Sequence, residues 1–136
     1  MRLLFISPRY HPHVGGVEYV VKSIAESLVK KGHDVTVLCG ESGLDRFKEE
    51  WIKGVHVFRW PIWAPGNAYH IPRQRKRFRE VLSELAKNAN IVHVHSLHAV
   101  MSVLAGLFIK EMKPSEKLVV TGHYHGEGHT TFRNMM

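Results

Sequence analysis

Short runs of consecutive apolar residues alternate along the chain with longer stretches in which apolar residues recur every three or four positions. A short run bounded by turn residues is typical of a strand buried on both faces, and the longer spacing is typical of a helix with one face on a core. The pattern predicts strands at 2–7, 35–38, 55–58, 91–94 and 117–121. It predicts helices over 17–29, from Pro72 through Leu85, and over 97–108.

The segments between these elements are expected to be connectors. Residues 40–53 form a predicted connector in which one helical turn packs Leu44, Phe47 and Trp51. Residues 61–69 hold two prolines and a glycine, which predicts a long surface loop. The polar, histidine-rich residues 122–136 complete no further strand–helix unit.

The alternation of strands and helices predicts an α/β fold, a Rossmann-like, doubly wound parallel sheet in three α/β/α layers. In the common strand order 3-2-1-4-5, the first and fourth strands are neighbours whose following helices lie on opposite faces. Ligands bind such sheets outside the C-terminal ends of these strands. We therefore expect residues 8–18, 95–98 and 122–128 to meet at one cleft.

The composition is that of one ordinary globular domain, with 136 residues, 44% of them hydrophobic and 23% charged. Because Cys39 is the only cysteine, the chain can form neither an intrachain disulfide nor a cysteine-based zinc site, which is consistent with a reducing compartment. No apolar run approaches the ~20 residues of a membrane span. We expect a cytoplasmic protein.

The net charge of +7 makes an anionic partner plausible. Five cations precede or begin the apolar stripe of the second predicted helix: Arg73, Arg75, Lys76, Arg77 and Arg79. Such a cluster is usually a solvated face, and the alternative is contact with an anionic membrane surface or nucleic acid. The aromatic segment 60–63 lies just upstream and could insert at an interface.

A pair of glycines, Gly15 and Gly16, lies between the first strand and the first helix. The unpaired N–H groups and the positive dipole end of a helix favour an anion there, and glycine lets a phosphate approach the backbone. The alternative is a tight turn without a ligand. Glu18 in the first helical turn would compete with a phosphate unless it turned towards sugar hydroxyls. Neither a Gly-x-Gly-x-x-Gly nor a P-loop pattern occurs, which disfavours dinucleotide cofactors and P-loop chemistry.

Histidines stand two residues apart at two predicted strand ends: His93 with His95, and His123 with His125. Each pair points to one face of its strand. Together with His129 they could form a zinc site, but Glu127 is the only carboxylate nearby, so we expect no metal. The favoured use is neutral imidazole that hydrogen-bonds a polar ligand, and for His93, inside its strand, a structural role.

Hydrolase chemistry is disfavoured as well. No pair of carboxylates is placed at the predicted cleft, as a glycosidase would require. No Gly-x-Ser-x-Gly motif is present, and Cys39 at the end of a buried strand is expected in the core.

Four ordered segments carry a family resemblance: Ile6-Ser7-Pro8 through Gly15-Gly16-Val17-Glu18, residues 28–38, residues 91–96 and Val119 through His123. They resemble the N-terminal domain of family 4 glycosyltransferases of the GT-B fold. The resemblance implies two Rossmann-like domains with the active site between them, the first holding mainly the acceptor and the second binding the nucleotide-sugar. It also implies transfer with retention of anomeric configuration, generally without a metal or other cofactor, since the nucleotide-sugar is a co-substrate.

The resemblance implies roles for particular residues. Gly15 and Gly16 would meet the donor diphosphate through backbone N–H groups, and His123 would contact the donor sugar near the reacting carbon as the catalytic residue. Glu18 and His95 are weaker candidates that would face acceptor or sugar hydroxyls.

The chain contains no second domain with the Glu-x7-Glu donor motif of the family. We therefore expect residues 1–136 to be an acceptor-side domain, truncated after about residue 125 and inactive alone. The expected partners are a nucleotide-sugar, a sugar or lipid-linked acceptor and an anionic membrane surface to which the protein is peripheral, with nucleic acid disfavoured. The rival hypothesis is a non-catalytic anion-binding module that uses residues 73–79.

Overall fold

The central strand, β1 (Arg2–Ser7), sends alternate side chains to opposite faces of the sheet. Leu4 and Ile6 lie in one buried cluster, whereas Leu3 and Phe5 lie in a second cluster on the other face. Since residues two apart in a strand share a face, this continuous apolar run needs cover on both sides. The sheet is therefore the middle of three layers.

The computed structural model describes residues 1–13, 15–96, 99–112 and 117–122. After β1 the strands are β2 (Asp34–Ser42), β3 (Lys48–Ile52), β4 (Val55–Trp63), β5 (Ile71–Pro72), β6 (Ile91–His95) and β7 (Lys117–Thr121). The helices are α1 (Gly16–Lys30), α2 (Arg75–Lys87) and α3 (Val100–Met112), and a 3-10 turn covers Pro65–Asn67.

The predicted parallel sheet is confirmed. The five strands expected from the sequence are β1, β2, β4, β6 and β7, and they pair in parallel in the order β4-β2-β1-β6-β7. This is the predicted order 3-2-1-4-5. Residues of α1 belong to the buried cluster on one face, and residues of α2 and α3 belong to the cluster on the other. The fold is α/β, Rossmann-like and doubly wound.

The predicted connector at 40–53 is wrong, because its second half is strand β3. This strand pairs antiparallel with β4 through the two-residue turn Lys53-Gly54, in which both residues have positive φ (50° and 82°). That combination matches a type I′ hairpin turn, whose twist suits paired strands. Phe47 stacks on Trp60 with the ring planes 4° apart, but Trp51 is 67% exposed on the edge strand rather than packed in the core.

The predicted surface loop at 61–69 is also partly wrong, since β4 continues to Trp63. Trp60 and Ile62 are buried, and the Trp60 indole Nε1 donates to the Arg73 carbonyl at 2.8 Å. Only Trp63 of the aromatic segment 60–63 presents a large exposed surface, at 62%. The other three residues of the segment are buried, so Trp63 is its only side chain that is exposed enough to insert at an interface.

The second predicted helix begins later than expected. Pro72 does not open it but pairs with Ile62 in the short strand β5, and α2 begins at Arg75 after Gln74, which has a left-handed φ of 54°. Arg73 therefore lies before the helix. Its N–H donates to the Pro61 carbonyl at 2.9 Å, so it is held against the end of β4.

Gly40, at the C-terminal end of β2, generates the first testable prediction. A Cβ at this position would lie 2.8 Å from the Ile62 side chain and 3.0 Å from the Pro8 carbonyl oxygen, so Gly40→Ala should lower the free energy of unfolding by about 1–3 kcal/mol. Urea denaturation measures this. In the matched control Gly106→Ala, the nearest atom is 4.0 Å away on Val94, so the helix should be unaffected or stabilised by up to about 1 kcal/mol. Equal effects of the two substitutions would contradict the close approach at Gly40.

Candidate functional site

A cleft of about 410 Å³ lies at the C-terminal ends of the parallel strands. Two of its walls are the segments expected to meet there, residues 8–18 and the residues after β6, and the third wall is formed by residues 68–70. The lining residues are Pro8, Arg9, Gly15, Gly16, Val17, Glu18, Ala68, Tyr69, His70, Ser96 and Ala99. A larger groove of about 820 Å³ lies along α2, away from the strand ends.

The mouth of α1 opens into this cleft. Tyr19 N–H donates to the Gly15 carbonyl at 3.0 Å, and no side chain caps the helix. The N–H groups of the first turn, which begins at Gly16, have no acceptor within the helix and favour an anion. The Glu18 carboxylate lies over Gly15, so close that a Cβ on Gly15 would collide with it. An incoming anion must displace or turn this carboxylate, as the sequence indicated.

A buried arginine holds the loop that leads to Gly15. Arg59 on β4 is 2% exposed, and its guanidinium contacts the carboxylates of Glu50 at 2.6 Å and Glu41 at 3.7 Å. It also donates to the His11 carbonyl. The guanidinium beside Glu50 lowers the pKa of that carboxyl, chiefly through their hydrogen bond. Sequence reasoning missed Arg59, whose only signal was a cation directly following the apolar run 55–58.

Two side chains next to Arg59 fill the core beneath the loop. Tyr10 is fully buried, and burial raises the pKa of its phenol to about 12, with smaller contributions from Glu26 and other neighbours. Burial also raises the pKa of the Cys39 thiol to about 12, so Cys39 is a core residue, as expected, and an un-ionised thiol is a poor nucleophile. The loop is therefore anchored in the core by the buried side chain of Tyr10.

Residues 68 and 69 were expected only as surface loop and His70 was assigned to no element, yet the three residues shape the third wall. Tyr69 and His70 both have left-handed φ angles, 67° and 46°. Their carbonyls accept hydrogen bonds from Val100 N–H (2.8 Å) and Met101 N–H (3.0 Å) in the first turn of α3. Burial, followed by the positive charge of Arg9, lowers the pKa of His70, and Glu18 acts in the opposite direction. The His70 imidazole is therefore neutral near pH 7.

The two histidines of β6 share one face, as their spacing predicted, with ring centroids 3.9 Å apart. His93 Nε2 lies 2.6 Å from the Thr121 hydroxyl on β7, which fits its expected structural role. His95 is 1% exposed and packs edge-on against Phe5, and the residue that lines the cleft at this point is Ser96. The structure thus places His95 behind the cleft wall.

The predicted catalytic His123 lies outside the described residues, as do His125, Glu127 and His129. Gly122 is described and directly follows β7, beside the Ser96 N–H that donates to the Thr121 carbonyl at 2.9 Å. Within the described ranges, no group of three or more His, Cys, Asp or Glu side chains could hold a metal ion.

The basic cluster lies away from the cleft. All five cations are exposed: Arg73, Arg75, Lys76, Arg77 and Arg79. Arg77 pairs with Glu80 at 3.3 Å, and Arg79 pairs with Glu111 at 3.2 Å. In the described part of the chain, the other three have no acidic partner within ion-pair distance. None of the described helices is both long and apolar enough to cross a membrane.

The model of the family described as Glycosyltransferase Family 4 matches residues 14–135, which is most of the chain. This match confirms the family resemblance of the sequence. A solved structure described as trehalose-6-phosphate from E. coli bound with UDP-2-fluoro glucose is 15% identical, with a TM-score of 0.49 over 88% of this chain and 32% of that one. The chain thus spans about a third of the length of that structure. No curated protein matches this chain.

The contacts of Arg59 generate the second prediction. Arg59→Met should lower the free energy of unfolding by about 2–3 kcal/mol, because two carboxylates and the His11 carbonyl lose a charged donor below the surface. Urea denaturation at neutral pH measures the change. The control Arg77→Met removes an exposed ion pair and should change stability by less than about 0.5 kcal/mol.

The contribution of the Arg59–Glu50 pair to the free energy of unfolding should also depend on pH. Because the folded-state pKa of Glu50 lies below its unfolded value of 4.5, the pair stabilises the fold above that value and ceases to do so as the pH falls through the folded-state pKa. The stability difference between the wild type and Glu50→Gln should therefore shrink on going from pH 7 to pH 3. A difference that stays constant over this range would contradict an ionised Glu50 partner.

Proposed function

Because the chain belongs to glycosyltransferase family 4, we propose that it is the acceptor-side half of a GT-B enzyme that transfers a sugar from a nucleotide-sugar to an acceptor with retention of configuration. The observation that carries this proposal is the uncapped N-terminus of α1, which opens at Gly15 and Gly16 into a cleft lined by hydrogen-bonding side chains.

The helix mouth suits the diphosphate of a nucleotide-sugar. Backbone N–H groups that point outward and the positive end of the helix dipole attract negative charge before the reaction. As the bond between the sugar and the diphosphate breaks, charge on the leaving phosphate increases, and the same fixed donors stabilise it more strongly. Gly16 is exposed at the first position of the helix, where the absence of a Cβ permits close approach.

The other proposed contacts differ in how directly the structure supports them. Glu18 lines the cleft and can accept hydrogen bonds from sugar hydroxyls. His95 remains a weaker candidate, since its ring is buried behind Ser96. We propose that His123, which follows β7 and Gly122 in the chain, is the catalytic residue and contacts the donor sugar near the reacting carbon.

We further propose that the cleft is one half of a site whose donor-binding side is a second domain. The chain then has no transfer activity alone and binds nucleotide-sugars weakly, with dissociation constants on the order of 1 mM, which corresponds to about 4 kcal/mol of binding free energy.

A titration with inorganic pyrophosphate tests the helix-mouth site. Amide resonances of Gly16, Val17 and Glu18 should shift in 15N–1H NMR spectra, and Glu18→Gln should bind pyrophosphate more tightly, because it removes a carboxylate that lies over Gly15. The control Glu84→Gln makes the same change of net charge on the exposed face of α2 and should leave the affinity unchanged. Shifts confined to residues 73–79, or submicromolar binding of a nucleotide-sugar by this chain, would contradict the proposal.

A second candidate function is association with an anionic membrane surface, which is compatible with the first for a cytoplasmic enzyme that acts on a lipid-linked acceptor. The favouring observation is the surface around Arg73, Arg75 and Lys76, where three exposed cations have no acidic partner among the described residues. The exposed indole of Trp63 and Arg73 line one groove, so an aromatic side chain accompanies the charge.

Sedimentation with vesicles that contain phosphatidylserine tests this surface. Each basic residue near an anionic membrane contributes about 1 kcal/mol, so Arg75→Ala with Lys76→Ala should lower partitioning about 30-fold, and added salt should lower it further. The control Lys30→Ala with Lys31→Ala removes the same charge at the end of α1. Equal losses for the two pairs, or binding to an oligonucleotide rather than to vesicles, would contradict a membrane site at 73–79.

A further inference from the structure

We infer that Arg9 and His70 are ligand-binding residues of the cleft, Arg9 for a phosphate group and His70 for a hydroxyl on the attached sugar. The ligand class that fits these two residues is therefore a sugar that carries a phosphate ester. The inference rests on the proposed function, since it concerns the same cleft, but it assigns contacts outside the helix mouth, on the loop before it and on the wall at residues 68–70.

The position of His70 is determined by backbone hydrogen bonds. Two successive non-glycine residues with left-handed φ, Tyr69 and His70, are strained, because a side chain in that region crowds its own backbone. The strain is retained because the two carbonyls accept the N–H groups of Val100 and Met101 at the start of α3. A further hydrogen bond, from His70 N–H to the Ala68 carbonyl at 2.8 Å, tightens the turn. This arrangement brings the His70 ring to the cleft.

The chemistry of His70 suits a hydroxyl ligand. Its Nδ1 is buried and has no hydrogen-bond partner among the described residues, although a buried polar atom normally has one. The charged groups that act on its ring are Arg9, Glu18 and His13, and of these only Glu18 favours the protonated form. A neutral imidazole both donates and accepts a hydrogen bond, as a sugar hydroxyl does.

The chemistry of Arg9 suits the phosphate. It lines the same cleft and lies close enough to His70 for its charge to lower the pKa of the imidazole. A guanidinium offers paired N–H donors that match phosphate oxygens. The cleft thus combines two anion-favouring features, Arg9 and the mouth of α1, with hydroxyl-binding groups on His70, Glu18 and Ser96. A sugar phosphate has a phosphate next to a ring that carries hydroxyls, so it can contact both the anion-favouring features and the hydroxyl-binding groups.

Such a ligand has two sources, the diphosphate and sugar of a donor or a phosphorylated acceptor. NMR titrations of the whole chain with UDP-glucose, with glucose 1-phosphate and with inorganic pyrophosphate distinguish them. Preferential binding of UDP-glucose assigns Arg9 and His70 to the donor, and preferential binding of glucose 1-phosphate assigns them to an acceptor.

The decisive variants separate the two contacts. His70→Phe keeps a ring of similar size but removes the hydrogen-bonding atoms, so it should weaken binding of the preferred sugar phosphate about 3- to 10-fold and leave pyrophosphate binding unchanged. His70→Asn, which tolerates a left-handed φ and keeps polar atoms, should recover part of the affinity. Arg9→Gln should weaken both ligands about 10-fold or more, because it removes a charged donor.

His33→Phe, at the opposite end of the sheet, is the matched control and should bind all three ligands as the wild type does. Thermal unfolding of each variant reports whether its fold is retained, and His70→Gly replaces His70→Phe if the latter unfolds. If the Gly16 amide responds to pyrophosphate while His70→Phe binds the sugar phosphate normally, the inference fails and the proposed function stands. If no probe shifts the Gly16 amide in the wild type, the proposed function itself fails.

Discussion

An arginine taken out of water inside a mostly apolar sheet must be paired, because its charge cannot be removed at physiological pH. Arg59 meets this requirement with partners from three separate segments: Glu50 on β3, Glu41 on β2 and the His11 carbonyl in the loop after β1. The loop is therefore held in place by a hydrogen bond from a buried charge to the His11 carbonyl. Gly15 follows His11 by only four residues, so this contact anchors the chain close to the start of α1.

The cleft combines a buried floor with one strained wall. The buried side chains of Tyr10 and Cys39 form the floor beneath the loop, and burial raises both pKa values further above neutral pH. The wall at Tyr69 and His70 has an unfavourable backbone conformation that is compensated by capping α3. Strain of this kind persists only where the surroundings determine it, and its presence beside the helix mouth agrees with a binding role.

The sequence was sufficient for the parallel strands, their order and two of the three cleft walls, since these depend on long apolar runs and on the general geometry of alternating strands and helices. It failed where tertiary contacts override local signals. Pro61 suggested a loop, yet β4 passes through it, because its neighbours Trp60 and Ile62 bury large side chains in the same core cluster. The third wall at His70 depends on hydrogen bonds to α3 between residues 31 positions apart in the chain (Tyr69 with Val100, His70 with Met101), which no local pattern reports.

Strand β3 has a consequence for how molecules of this protein meet one another. Without it, the long strand β4 would present a row of unpaired backbone groups between apolar side chains, which is a template for pairing with a second chain. The hairpin at Lys53-Gly54 covers that row with a short strand that begins Lys48, Glu49, Glu50. The edge of the sheet formed by β3 is thereby short and charged, so this edge is a poor template for pairing with another chain.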